Sequence, residues 1–431
     1  MKNDQPRIRG GVLGKLINDD YIFSVISKIS GVFLAVIYSV FYNRYLGASL
    51  KGEAAIISNY LSIISAFACV GMYQAYPFFK RKEGDVFYPF LNTMTSTYLL
   101  MLVASLILAI FVPAIDINIR IAVVLVPAHS YIRHINYIVT IEEPRRRNIS
   151  YLLISSLDLI VVLGFFVFGN ANYQTMVAIL LIQAFINLAI SYSNLKAKLK
   201  HFRFTLRLLP KYMKFGFVPM ITLFLMTLNY RVDVLMLEKD AITTTAQIGV
   251  YSVGVALAEK VWLIPDAIKD ILLSRLCKGK GTEEVARIIR LNLAVVLALI
   301  VVVAIVSGPF VRLVYGKEYV GADIITVIML TGVLGMIFYK MIYAYNVSQG
   351  KRAINLILLC LAAVLNIVGN LILIPIMGIY GAAWTSVISY NICGIAFLIY
   401  FRCVSKIPVF KIIFLQKEDF VFVKRLLIRN K

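Results

Sequence analysis

Long apolar segments alternate with short polar ones along the whole chain. Twelve of them have the length that a bilayer-spanning α-helix requires, roughly 20 residues. We place the spans at residues 21–44, 54–78, 88–112, 119–140, 149–169, 173–194, 212–236, 246–272, 287–308, 322–346, 354–375 and 379–401. The pattern predicts an all-α polytopic membrane protein, and an even number of spans puts both termini on one side.

Composition agrees with this class. Of the 431 residues, 60% are hydrophobic and only 15% are charged, too few to cover the surface of a soluble protein. The net charge of +22 would suggest nucleic-acid binding in a soluble chain. Here the charge follows the predicted loops, so we expect no nucleic-acid partner.

The basic residues indicate the orientation. Thirty-two of the 44 Lys and Arg residues fall in the termini and in loops on the same side, six fall on the other side and six within spans. Basic loops stay cytoplasmic, so we expect both termini in the cytoplasm. The longest hydrophilic stretch, residues 195–211, is basic and amphipathic, and we expect it to lie on the anionic inner leaflet.

Little in the sequence predicts an enzyme. All predicted outer loops are short, which disfavours a membrane glycosyltransferase or polymerase, and we expect neither a metal nor a cofactor.

None of the cysteines forms a CxxC pair, and we interpret them as small apolar residues. They are Cys69, Cys277, Cys360, Cys393 and Cys403.

The two halves of the chain resemble each other. Residues 41–60 and 228–253 each place Tyr and Arg before a polar hairpin, followed by Gly and an aromatic residue. This repeat predicts an N-terminal lobe, residues 1–200, and a C-terminal lobe, residues 201–431, each with six spans. Because six spans preserve orientation, the lobes would be related by a pseudo-twofold axis normal to the membrane, with a substrate site between them.

Three stretches resemble a known family. They are "LNIVGNLILIPIMGIYGAAWTSVISY" (365–390), "NYRVDVLML" (229–237) with "IGVYSVGVALAEKVWLIPDAI" (248–268), and "VRLVYGKEYVGA" (311–322). All three are similar to signatures of the polysaccharide or O-antigen repeat-unit flippases. That family belongs to the multidrug/oligosaccharidyl-lipid/polysaccharide exporter superfamily.

The resemblance implies a fold and a function. It implies a V-shaped bundle of two six-helix lobes around a central cavity in the bacterial inner membrane. It also implies transfer of an undecaprenyl-diphosphate-linked repeat unit, for O-antigen, capsule or another surface polysaccharide, from the cytoplasmic to the periplasmic leaflet. The implied partners are the lipid-linked oligosaccharide, membrane lipids and other polysaccharide assembly proteins.

Charged and amide residues inside the spans are candidates for contact with such a substrate. An anionic diphosphate in a low-dielectric cavity needs cationic partners, because an unpaired buried charge is very costly. The candidates for substrate binding are Lys28, His129, Arg133, Lys260, Asn366 and Asn370. The candidates for ion coupling or ion pairing are Asp158, Glu259, Arg231 and Asp233.

Each candidate also has a structural alternative. Lys28 and Lys340 could reach the cytoplasmic headgroups, and Asp158 could form an interhelical ion pair with Arg133. Asn366 and Asn370, four residues apart, could bind each other instead of sugar hydroxyls. Arg231 and Asp233 lie on different helix faces, so we expect their partners on other helices.

The main alternative function is a drug/cation antiporter of the same superfamily. The two functions require opposite charges in the cavity. A cation exporter should present acidic side chains without competing basic ones. Lys28 and Arg133 favour the flippase. Either transporter could be coupled to H⁺ or Na⁺, with Asp158 or Glu259 as the carrier.

Overall fold

The computed structural model describes residues 20–112, 115–195, 199, 202–277 and 281–420. Within these ranges the regular elements are helical and no strand occurs. The helices are α1 (Asp20–Ala68), α2 (Met72–Glu83), α3 (Phe87–Phe111), α4 (Ile117–Glu142), α5 (Pro144–Phe168), α6 (Tyr173–Ser193), α7 (Leu209–Lys239), α8 (Thr245–Val261), α9 (Leu263–Cys277), α10 (Thr282–Phe310), α11 (Ala322–Ser348), α12 (Arg352–Met377), α13 (Ile379–Ser405) and α14 (Val409–Ile413).

These helices confirm a polytopic membrane protein. Nine stretches of the described chain are long and apolar enough to cross a bilayer, or ten with the bent pair α8–α9. One of them, Ile29–Glu83, has 55 residues, more than twice what a single crossing needs. It is interrupted at Gly47, whose φ of 67° is left-handed, so it contains two predicted spans. Helix α4, with 26 residues, is also long enough, and the helices therefore cover all twelve predicted spans.

The predicted span 246–272 is not one continuous helix. It divides into α8 and α9, which meet at Trp262 with a bend of 40°. Pro265 explains the break, because it has no amide hydrogen to donate to the Val261 carbonyl one turn earlier. The bend shapes a cavity described below, which Trp262 and the first turn of α9 line.

Two loop predictions were also wrong in detail. The basic segment Arg145 to Arg147 was expected in a loop but forms the first turn of α5, where Pro144 occupies a position that suits proline. The predicted span 354–375 stops at Pro375, but α12 continues through this proline to Met377. The chain instead reverses at Gly378, whose φ is 55°.

The chain forms two compact units. Unit 1 comprises the described residues within Met1–Leu50 and Tyr60–Leu223. Its core contains large buried side chains from α2, α3, α4 and the start of α7, including Tyr76, Phe90, Ile135 and Tyr212. Part of the polar segment before α7 is fixed to α3, since the Thr205 amide donates to the Ser96 hydroxyl over 2.9 Å.

Unit 2 comprises the described residues within Lys51–Asn59 and Phe224–Lys431. Helix α11 lies at its centre and contacts α8, α9, α10, α12 and α13. Small residues allow this packing: a Cβ at Gly335 would lie 2.5 Å from the Tyr390 carbonyl oxygen of α13. Lys340 and Asn346 are buried polar residues of this helix, and each needs a partner within the protein.

Candidate functional site

A cavity of about 320 Å³ lies within unit 2. Helices α7, α8, α9 and α11 and the bend at Trp262 supply its walls. The lining combines charged and aromatic side chains: Met226, Tyr230, Arg231, Glu259, Trp262, Asp266, Lys269, Tyr339, Lys340 and Tyr343. Its volume is at the lower end of the range of small-ligand pockets, about 300–1,000 Å³, so it suits a small polar group better than a whole lipid-linked glycan.

Lys340 is fixed at one side of this cavity. Its ammonium donates to Asp266 Oδ2 over 2.8 Å and lies 5.0 Å from the ring centre of Trp262. The side chain is only 7% exposed. The alternative interpretation, in which Lys340 reaches the cytoplasmic headgroups, does not fit this arrangement, since the ammonium already has an acid and an aromatic ring beside it.

The second ion pair of the cavity joins Arg231 of α7 to Glu259 of α8, with 3.3 Å between Nη1 and Oε1. Arg231 is 37% exposed and Glu259 is 21% exposed, so both remain accessible from the cavity. The sequence named both residues as candidates for ion pairing, and the structure brings them together. The expectation that Arg231 has its partner on another helix is confirmed.

Asp233 faces a different, fully buried network. The Tyr251 hydroxyl of α8 donates to its carboxylate, as does the Ser386 hydroxyl of α13 over 3.3 Å. Asn366 donates to Ser386 over 3.4 Å, and Asn370 donates to Asn366 over 3.0 Å. Both asparagines are 0% exposed. They bind one another, the alternative that their spacing had left open, and the network connects α7, α8, α12 and α13.

The candidates of unit 1 lie apart in two groups. Arg133 and His129 are half-buried on one face of α4, with 3.4 Å between Nη2 and Nε2. Asp158 of α5 lies beside Asn187 of α6 instead. Among the described residues no ion pair joins Asp158 to Arg133, so the structure does not contain the pair that the sequence had left open as an alternative. A small cavity of about 10 Å³ next to Cys69 and His134 has room for about one water.

One predicted cation of unit 2, Lys260, does not line the cavity. Lys260 follows Glu259 on α8 and is exposed, but it is not among the lining residues. Lys28 lies in α1, and its side chain is outside the described residues. The cavity is lined instead by Lys269 and Lys340, neither of which was among the predicted substrate-binding residues. A local signal was Asp266, three residues before Lys269 in the first turns of α9.

The chemistry of the cavity is that of charge recognition. Three bases, Arg231, Lys269 and Lys340, surround two acids, Glu259 and Asp266. The bases outnumber the acids by one, so an oxyanion would find a net positive site. Among the described residues, no group of three or more His, Cys, Asp or Glu side chains could hold a metal ion.

A comparison with known families finds one match. The sequence model of the family described as "Polysaccharide biosynthesis protein" matches residues 44–323, well over half of the chain. No curated protein sequence matches the chain.

Solved structures of membrane transporters are similar in fold. The lipid II flippase MurJ, in an inward closed conformation, is 16% identical with a TM-score of 0.71, over 91% of this chain and 89% of that one. An inward-facing multidrug resistance MATE family transporter of the MOP superfamily is 14% identical with a TM-score of 0.63, over 86% and 94%. A MOP superfamily transporter from Pyrococcus furiosus is 15% identical with a TM-score of 0.61, over 93% and 99%. The predicted fold class is confirmed.

Proposed function

Because this chain belongs to the polysaccharide biosynthesis protein family, as its motifs predicted, we propose that it is a flippase for lipid-linked oligosaccharides. The transported molecule is an undecaprenyl-diphosphate-linked repeat unit of a surface polysaccharide such as O-antigen or capsule. It moves from the cytoplasmic to the periplasmic leaflet of the bacterial inner membrane. The similar fold of the lipid II flippase supports this proposal by analogy.

The observation that carries the proposal is the surplus of bases in the cavity of unit 2. Charged side chains are costly within a membrane protein and mark substrate or ion pathways. Three bases against two acids favour an anionic ligand, and the diphosphate of a lipid carrier is such a ligand. Arg231 adds the planar fork that binds phosphate oxygens in pairs.

The drug/cation antiporter is the second candidate. Glu259 and Asp266 would serve a cationic drug, and MATE transporters have a similar fold. However, each of these acids already lies within 3.3 Å of a base. A cationic substrate would meet Arg231, Lys269 and Lys340 at the same site, so the anionic substrate is favoured.

Energy for transport can come from the membrane potential. An anion that moves outward across an inside-negative membrane gains about 2.3 kcal/mol per charge per 100 mV. H⁺ or Na⁺ coupling through Asp158 or Glu259 would add to this and stays a prediction. In this proposal both termini are cytoplasmic, and the protein works beside other polysaccharide assembly proteins.

A deletion strain tests the proposal. Without the protein, lipid-linked repeat units should accumulate at the inner leaflet and the surface glycan should be lost, and the wild-type gene should restore export. Arg133→Ala should abolish export at normal protein levels, and Arg133→Lys should be intermediate because it keeps the charge but loses the fork. Lys28→Gln should lose export and Lys28→Arg should retain it, because only the arginine keeps the positive charge. Normal surface glycan in the deletion strain would contradict the proposal.

A further inference from the structure

The ion pair between Lys340 and Asp266 is unequal in exposure. The base is 7% exposed, whereas the acid is 44% exposed at the cavity. Lys340 is held from one side by the Trp262 ring, 5.0 Å from its ammonium. The acid can therefore turn away into the cavity, while the base cannot leave without displacing its neighbours.

Asp266 also faces a second base. Its Oδ1 lies 3.5 Å from the Lys269 ammonium, and its Oδ2 lies 2.8 Å from the Lys340 ammonium. One carboxylate thus spans two ammonium groups, with one oxygen directed to each. A phosphate or carboxylate group of a ligand has the same pair of oxygens and could take the same position.

Removal of Asp266 alone would leave Lys340 charged and desolvated. An unpaired buried charge is strongly unfavourable, whereas exchange of one anion for another retains the pairing. The geometry therefore permits an exchange of anions at Lys340 but opposes a vacant site.

We propose that Lys340 and Lys269 form a binding subsite for an oxyanion of the transported molecule, and that Asp266 occupies this subsite when no ligand is bound. The ligand group is a phosphate or a carboxylate, carried by the lipid diphosphate or by an acidic sugar. This inference rests on the proposed flippase function for the identity of the ligand, but not for the existence of the subsite.

Trp262 provides a direct readout of the subsite. The chain has two tryptophans, and the other, Trp384, is 41% exposed and does not line the cavity. In full-length protein carrying Trp384→Phe, fluorescence therefore reports on Trp262 alone. Pyrophosphate, glucuronate and uncharged glucose are each titrated into purified protein in detergent, with sodium chloride as the control for ionic strength.

We expect a saturable change in fluorescence with pyrophosphate or glucuronate and none with glucose or chloride. The anion that gives the change identifies its source, the lipid diphosphate or an acidic sugar. Lys340→Met should abolish the response. Asp266→Asn should tighten binding roughly tenfold, because it removes a competitor held by a charged hydrogen bond.

The Asp266→Asn result separates exchange from a purely structural ion pair. A structural pair predicts unchanged or weaker binding in this variant, and either result would overturn the inference. Equal responses to chloride and pyrophosphate, or a full response in Lys340→Met, would also overturn it. If Lys340→Met does not give monodisperse protein, Lys269→Gln, whose native side chain is 31% exposed, replaces it with weakened binding as the expected result.

Complementation of the deletion strain keeps the two proposals separate. If the Trp384→Phe protein restores glycan export but shows no saturable response to either anion, the subsite is wrong and the flippase function stands. If the protein binds pyrophosphate but its deletion leaves the surface glycan unchanged, the subsite stands and the flippase function is wrong.

Discussion

Arg231 and Glu259 form an ion pair across the cavity of unit 2, although 28 positions separate them in the chain. The base comes from α7 and the acid from α8, so the pair depends on the packing of both helices. It places a guanidinium group, partly exposed, where a ligand can reach it.

Arg231 should therefore be required for transport. We expect Arg231→Gln to reduce surface glycan at least about tenfold, the effect of one lost charged hydrogen bond, and Glu259→Gln to have a smaller effect because it leaves the cavity more positive. Immunoblots of surface glycan at matched protein levels measure this. Arg312→Gln, at an exposed arginine outside the cavity, is the control. Equal export in Arg231→Gln and Arg312→Gln would exclude Arg231 from the substrate path.

The buried network at Asp233 should stabilise the fold. Tyr251→Phe removes one donor to a carboxylate that is 2% exposed, which should cost about 1–3 kcal/mol. Thermal unfolding in detergent should show a lower midpoint. Ser386→Ala removes the other side-chain donor, and a double-mutant cycle should show coupling between the two changes, since they share one acceptor. Additive effects would mean that the two hydroxyls do not act on the same carboxylate.

The segment after α13 is attached to α10 through the buried carboxylate of Asp419. Arg290 of α10 donates to both carboxylate oxygens of Asp419, over 2.6 and 2.8 Å, and also to the Lys411 carbonyl. A spin label at Phe410→Cys, an exposed position of α14, reports whether the segment is docked. Asp419→Ala should make the label mobile, while Glu418→Ala, at an exposed neighbour, should not. An immobile label in Asp419→Ala would show that the remaining contacts, including the bond from Arg290 to the Lys411 carbonyl, hold the segment without this carboxylate.

The same contact predicts a dependence on pH. Burial raises the pKa of the Asp419 carboxyl, but hydrogen bonds from Arg290 and from the Gln416 amide outweigh this and lower the pKa below its usual value, which is about 3.9. A lowered pKa stabilises the docked state above the unfolded pKa, and this contribution is lost as the pH falls through the folded pKa. The label should therefore stay immobile from neutral pH to about pH 4 and become mobile below it. Mobility that begins near pH 6 would contradict this assignment.

Orientation can be measured with single cysteines. In a chain with the five native cysteines replaced, Phe204→Cys should lie in the cytoplasm and Ile242→Cys outside, following the distribution of basic residues. The native side chains are 57% and 78% exposed. An impermeant thiol reagent should label only Ile242→Cys in intact cells. Labelling of Phe204→Cys would reverse the topology and the proposed direction of transport.

The helical spans could be predicted from the sequence because hydropathy and length determine them almost alone. Pro265 shows where this method fails, since a run of apolar residues does not reveal a bend of 40° in the middle. The end of the predicted span 354–375 was also displaced slightly, because a glycine and not the proline forms the reversal. Gly378 forms the turn between α12 and α13, whereas Pro375 remains within α12.

The site was less predictable, because pairing across helices depends on rotation and depth. Arg231 and Glu259 were recognisable as charges inside spans, but nothing local indicated that they contact each other. Lys340 looked like a residue that reaches the headgroups, and its partner Asp266 lies 74 positions away. Asn366 and Asn370 were recognised as a pair because a contact four residues apart lies within one helix.

Transport itself can be measured in a reconstituted system. Lipid-linked repeat units from the deletion strain are incorporated with the purified protein into liposomes, and the fraction accessible to an added glycosidase is measured over time. The account predicts that wild-type protein transfers glycan from the inner to the outer leaflet, while Arg231→Gln protein does so much more slowly. The liposomes are also tested under an imposed potential and with H⁺ or Na⁺ gradients. If wild-type protein transfers glycan no faster than protein-free liposomes under all of these conditions, the proposed flippase function is wrong.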